Sequence, residues 1–322
     1  MTDAFLGLPQ VPLDQWVEDA TEWLLANGEG VFDVVSSVIG TVNDKLASAL
    51  HGSPEWLLVA IVVLLAWEFV GPGGALLTFL ALGAIDNLGL WSPMLDTLAL
   101  TLTSALLALA IAEPVGVWAG LRRRREESLR PVLDFMQTMP PYVYLIPAVM
   151  FFGLGAVPAV VSTVIFATAP AIRLTALGLR QVPPQMVEVG MAFSATRWQM
   201  LRKVQLPLAL PSILAGVNQC IMLSLSMVII ASLIGAKGLG ENIIFAITQV
   251  QVGAGLVGGL AVVMLAIILD RITHGMGLRP LERRRRVRLW KSPLSALVRA
   301  IKGLATHARH SGGLPVTPRR AA

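Results

Sequence analysis

The chain has 322 residues, 55% of them hydrophobic and only 14% charged, with a mean hydropathy of +0.71. A soluble domain of this length would carry far more surface charge, and long Leu/Ala/Val/Ile runs without strand alternation exclude a membrane barrel. The fold class is all-α, a polytopic membrane protein. One cysteine, Cys220, excludes an intrachain disulfide framework, and the four histidines (His51, His274, His307, His310) lack metal-ligand spacing.

Residues 1–56 form a first, acidic region, in which Lys45 is the single base against nine acids. It has no basic n-region or early apolar core of a signal peptide, so insertion is expected to rely on internal segments. Two amphipathic helices are predicted here. Leu13, Trp16, Val17, Ala20, Trp23 and Leu24 form one stripe. After a break at Asn27-Gly28-Glu29-Gly30, Val31, Val35, Val38, Val42, Leu46 and Ala49 form another.

Residues 57–278 form the membrane region, with seven apolar runs: Leu57–Val70, Ala75–Leu90, Met94–Leu121, Val132–Phe152, Val157–Leu179, Pro211–Ile234 and Gly255–Ile272. These predict about seven transmembrane helices, the first two paired as a hairpin through Gly71-Pro72-Gly73-Gly74. Lys and Arg cluster at Arg122–Arg125 with Arg130, at Arg180, Arg197, Arg202 and Lys203, and at Arg279, Arg283–Arg286 and Arg288. Even numbers of crossings separate the three clusters, so all are expected to face the cytoplasm, with the acidic N-terminus outside. The basic balance is therefore a topology signal and not a nucleic-acid surface. Residues 279–322 read as a basic, mostly disordered tail.

The chain contains no Gly-x-x-x-x-Gly-Lys-Ser/Thr phosphate loop. Gly235-Ala236-Lys237-Gly238-Leu239-Gly240 lacks the hydroxyl residue after lysine and falls opposite the basic loops. No catalytic constellation is expected, and no cofactor in this chain. Uphill transport would draw on an ion gradient or on another subunit. Glu68, Asp86, Asp96, Glu113, Asp134, Arg173 and Asp270 are the ionisable groups in the apolar runs. They read more readily as end anchors or interhelical pairs than as an ion relay, because no two form a relay along one helix.

The informative stretch runs from Val187 to Ser212, a loop long enough for a short helix-turn-helix. Ala192, Phe193, Trp198, Met200 and Leu201 offer apolar knobs, rimmed by Arg197, Arg202 and Lys203, a composition suited to a partner's groove. Pro207 and Pro211 are expected to end this element.

That stretch resembles the coupling loop of ABC-importer permeases, whose pattern is Glu-Ala-Ala, three residues, Gly, nine residues, Ile-x-Leu-Pro. Glu188-Val189-Gly190 takes the first triplet, Ser194 the glycine position, and Val204-Gln205-Leu206-Pro207 the end. Val189, Gly190 and Ser194 depart from the pattern, and a φ > 0 conformation would cost Ser194 energy that glycine avoids. Leu129–Gly153, Ala169–Pro184 and Leu206–Gly240 are similar to the glycine betaine/proline betaine permease family. The resemblance extends over roughly residues 95–275.

The resemblance implies a type I importer with a five-helix permease core in the bacterial inner membrane. Its implied partners are cytoplasmic ATPase subunits that carry ATP and Mg, an extracytoplasmic binding protein, a second permease copy and lipid. Glu188, Gly190, Ala192, Phe193, Ser194, Ala195, Arg197, Leu206 and Pro207 are the residues expected in or around ATPase coupling. Tyr142 and Tyr144 offer faces for a quaternary ammonium ion, although interfacial anchoring is the plainer reading. Asn218 and Gln219 either line the path or bond between helices, with packing favoured. Alternative cargoes are choline, carnitine or an amino acid, and an ion-coupled secondary transporter is the alternative mechanism.

Overall fold

The computed structural model describes residues 12–276; the basic tail from Arg279 onward lies outside them. Among the described residues the chain is helical, with no strand. The helices are α1 (Leu13–His51), α2 (Glu55–Phe69), α3 (Pro72–Asn87), α4 (Trp91–Gly120), α5 (Arg123–Thr138), α6 (Pro141–Phe152), α7 (Ala156–Arg180), α8 (Pro184–Ala192), α9 (Arg197–Met200), α10 (Leu206–Ala231), α11 (Leu239–Thr248) and α12 (Val252–Met276). A π turn, Leu201–Gln205, joins α9 to α10, and a 3₁₀ turn, Ser232–Ile234, follows α10.

The predicted break at residues 27–30 is absent: α1 runs unbroken through Gly28 and Gly30. A helical glycine costs only about 1 kcal/mol against alanine, and the Asn27 side chain donates back to the Trp23 carbonyl, 2.8 Å away. The chain turns instead after His51, where α1 and α2 meet at 103°. The second apolar stripe is also rotated. Val35 and Ile39 face the bundle core and Asn43 is buried beside them in sequence, whereas Val31, Val38 and Val42 are exposed.

All seven apolar runs are helical, but among the described residues only four elements are long and apolar enough to cross alone: α4, α7, the continuous helix Arg197–Ile234, and α12. The α2 and α3 helices have 15 and 16 residues, about 23 Å each and short of the ~30 Å hydrocarbon core. They form the expected hairpin through Gly71, whose φ is +107°. The run Val132–Phe152 is two helices. Pro140 forces Met139 into the extended region, so α5 ends at Thr138 and α6 starts afresh at Pro141.

The centre of the bundle is α4, α7 and α10, which pack most extensively on one another. Their contact faces are built from small residues: Ala108, Ala112 and Ala119 on α4, and Ala167, Ala171 and Ala176 on α7, all buried. A Cβ added to Gly120 would lie 3.0 Å from the Ala176 backbone, so these helices approach as closely as glycine permits. Close backbone approach is how helices associate where lipid removes the hydrophobic drive. Buried hydroxyls on α7 turn back to their own helix, with Thr163 Oγ1 donating to the Ala159 carbonyl at 2.6 Å.

The two ends of the bundle differ. At the basic end Glu126 pairs with Arg180 and Asp134 with Arg173, tying α5 to α7. Arg125 lies 4.8 Å above the Trp118 ring, and Arg123 is held by Glu127 one turn away, which raises its pKa further. At the opposite end His51 Nε2 meets Asp96 at 2.8 Å, and Gly155 N–H donates to the Ile234 carbonyl at 3.0 Å.

Candidate functional site

At the basic end, α8 and α9 form the helix-turn-helix that the loop predicts. Ser194 N–H donates to the Met191 carbonyl (2.8 Å) and Ala195 N–H to the Gly190 carbonyl (3.1 Å). These two bonds are a Schellman cap, which places its first residue beyond the helix cap in the left-handed region. Ser194 occupies that position with φ +54°. The turn therefore keeps the conformation that favours glycine, and serine adopts it. Thr196 then opens α9 with a capping box: its hydroxyl accepts from Gln199 N–H (3.3 Å), and the Gln199 side chain accepts from Thr196 N–H (2.9 Å).

Pro207 and Pro211 do not end the element. The helix passes through both, from Arg197 to Ile234. Pro207 has no N–H to donate, and the preceding turn widens so that Leu206 N–H reaches the Leu201 carbonyl in a π turn. Leu179, Leu201, Ala209 and Ile213 pack together with Leu206 against them, joining this widened turn to α7 and α10.

The face turned away from the bundle is apolar with a charged rim. Phe193 is 84% exposed and Trp198 65% exposed, with Val189 and Met191 beside them in the chain and also exposed. Glu188, Ala192, Arg197, Arg202 and Lys203 are exposed too. Among the described residues none of the ion pairs involves Glu188, Arg197, Arg202 or Lys203. Gly190 is buried against Met200, Ala195 and Leu206 are half-buried, and Pro207 is exposed. Exposed aromatics within unpaired charges form a surface suited to a protein groove.

The path candidates separate. Tyr144 is buried and its hydroxyl donates to the Met136 carbonyl at 2.6 Å, bracing the α5–α6 break; Tyr142 is exposed. Asn218 donates to Asp270 Oδ1 at 3.0 Å and accepts from Thr273, joining α10 to α12. Gln219 is exposed. The carboxylates flagged in the apolar runs take separate partners: Asp96 with His51, Asp134 with Arg173, and Glu113 with Thr175 at 3.3 Å. Sequence reasoning missed the polar corner at the opposite end, where Leu239 N–H donates to the buried Thr97 Oγ1 at 2.8 Å. Only the broken glycine run at residues 235–240 signalled it.

The family described as "Binding-protein-dependent transport system inner membrane component" matches residues 112–277, from the last turns of α4 through α8 and α9 to the end of α12. The chain belongs to that family. The Bacillus subtilis glycine betaine transport system permease protein OpuAB is 44% identical over 86% of this permease and 98% of its own length. The Escherichia coli glycine betaine/proline betaine permease ProW is 45% identical over 83% of this chain and 75% of its own. The Listeria monocytogenes glycine betaine/carnitine permease GbuB is 46% identical over 83% and 96%. An inward-facing structure of the methionine ABC transporter MetNI aligns with 57% of this permease and 94% of the matched chain, with a TM-score of 0.51 at 23% identity. That likeness shows a shared permease fold.

Proposed function

We propose that this permease is the membrane-spanning subunit of an ATP-driven importer for glycine betaine and related zwitterionic osmolytes. The observation that carries the coupling role is the α8–α9 face, with Phe193 and Trp198 exposed among charges that form no ion pair among the described residues. A separate ATPase, binding ATP and Mg, would seat that face in a groove. Closure of an ATPase pair would then swing two permease copies between inward and outward access, a rigid-body switch between two states. The cargoes for which the relatives are named support the betaine assignment. The basic end faces the cytoplasm in this reading, which puts the C-terminal tail inside and α1 outside.

The test is labelled glycine betaine uptake in a strain without its own systems, with and without a cognate ATPase and binding protein. Uptake only when all three are present supports the reading. ATPase-dependent uptake of another solute keeps the mechanism and replaces the cargo, whereas gradient-driven uptake by this chain alone overturns the mechanism. Phe193→Asp, or Glu188→Lys with Arg202→Glu, is expected to abolish uptake while leaving membrane insertion intact.

A further inference from the structure

A cavity of about 290 Å³ opens at the end opposite the coupling face, bounded by α1, α4 and the chain segments that enter α7 and α11. Asn43 and Asp44 line it from α1, Asp96 from α4, and Gly155, Gly235 and Lys237 from the two connecting segments. Backbone forms one wall. Gly155 and Gly235 have φ of +114° and +85°, and a Cβ on Gly235 would lie 3.9 Å from Gly155 N. The wall therefore sits close to whatever fills the space, without side chains in the way.

Asn43 is the decisive residue. It is 7% exposed, and its Oδ1 is buried without a hydrogen-bond donor. A buried amide oxygen left unmatched is costly, so a small turn of the side chain that met a donor in the cavity would be favoured. The other polar groups carry opposite charges: two carboxylates, Asp44 and Asp96, and one ammonium, Lys237. His51 holds Asp96 from the far side. A bare metal ion suits this poorly, because Lys237 would repel it. Among the described residues no cluster of three His, Cys, Asp or Glu side chains is present to hold one. A simple anion would meet two carboxylates. A molecule carrying both charges satisfies the whole set.

We infer that this cavity is a recognition site for a small zwitterion at the extracytoplasmic mouth of the permease. The ligand carboxylate faces Lys237. Its cationic group faces Asp44 and Asp96, and polarised C–H or N–H groups beside the positive nitrogen meet the Asn43 amide once it turns toward the cavity. The assignment rests on the betaine-import reading and adds where the cargo is first held by this chain. It also gives α1 a direct role, since Asn43 and Asp44 lie ahead of the family match that begins at residue 112.

The test uses the permease–ATPase complex in nanodiscs, without binding protein, and equilibrium binding of labelled glycine betaine. Uptake by the complete assembly in proteoliposomes is measured in parallel. Binding is expected to be displaced by unlabelled betaine and not by choline, which lacks the carboxylate. Lys237→Gln, an exposed position whose change leaves packing intact, and Asn43→Leu, which removes the amide from the cavity wall, are each expected to weaken binding at least tenfold and to lower uptake. Displacement by choline equal to that by betaine overturns the zwitterion assignment. Parent-like binding in both variants overturns the site. Protection of Lys237 from amine labelling by the binding protein alone, with no betaine binding, would make the cavity a protein-docking socket and also overturn the proposal. If the complete parent assembly takes up no betaine, the cargo reading fails separately, and binding of labelled proline then decides the cavity by the same variants.

Discussion

The side chain of Met200 lies directly over Gly190: a Cβ on residue 190 would come within 2.4 Å of Met200 Cε and 2.8 Å of Sδ. The α8 helix is therefore seated on the start of the helix that becomes α10. Gly190→Ala should be tolerated at a cost of about 1 kcal/mol, because the thioether end is flexible and can swing aside. Gly190→Leu should lift α8 off its seat and reduce ATPase co-purification and uptake at least tenfold. Met200 is buried, so Met200→Ala alone should cost about 2–5 kcal/mol, and it should cost less in the Gly190→Ala background, measured by thermal unfolding in detergent. Strictly additive losses would show that the contact does not seat the helix.

Ser194 holds a left-handed conformation at the cap of α8. Ser194→Gly removes a steric cost of roughly 1 kcal/mol, partly offset by the greater freedom of glycine in the unfolded chain. The expected net is a gain of about 0.5 kcal/mol with coupling retained. Ser194→Val should lose about 1–3 kcal/mol, since a β-branched side chain resists positive φ. Equal melting temperatures for the glycine and valine variants would contradict the assigned turn.

Thr97 is fully buried, and its hydroxyl both donates to the Pro93 carbonyl (2.9 Å) and accepts from Leu239 N–H. Thr97→Val keeps the shape and leaves that N–H without an acceptor, at an expected cost of about 1–3 kcal/mol. Thr97→Ser should cost less, because the oxygen stays. Hydrogen exchange at the start of α11 would show the loss locally, and unchanged protection in Thr97→Val would refute the role.

The Glu126–Arg180 pair is about one-third exposed on both sides, so screening keeps its worth near 0.5 kcal/mol. Reversing either charge alone should lower the melting temperature slightly, and reversing both should recover it. A larger effect on coupling than on melting would show that α5 transmits movement to the coupling helices beyond its share of stability.

The α8–α9 helix-turn-helix was legible because its information is local. Spacing placed Glu188, Ser194 and Pro207 in the order the helices require, and Phe193 and Trp198 stand out as aromatics with no apolar run to join. The break at Pro140 was less visible, because hydropathy adds across Val132–Phe152 and ignores that a proline bends the residue before it. The continuity of α1 was misread for the opposite reason, since Gly28 and Gly30 weaken a helix without ending it. Asn43 was not legible at all. One amide on an apolar helix looks incidental until folding carries Asp96 and Lys237 to it from distant parts of the chain.

The 103° bend after His51 has a mechanical meaning. The α1 helix meets the bundle from Phe32, which stacks on Phe151 at 4.6 Å between ring centroids, onward to His51. The stretch from Asp14 to Phe32 projects about 27 Å at helical rise. Any rocking of α4, α6 or α7 is magnified along that arm: a tilt of about 10° moves its tip by about 5 Å over that length. Trp16 and Trp23, exposed near the tip, would travel about that far for such a tilt.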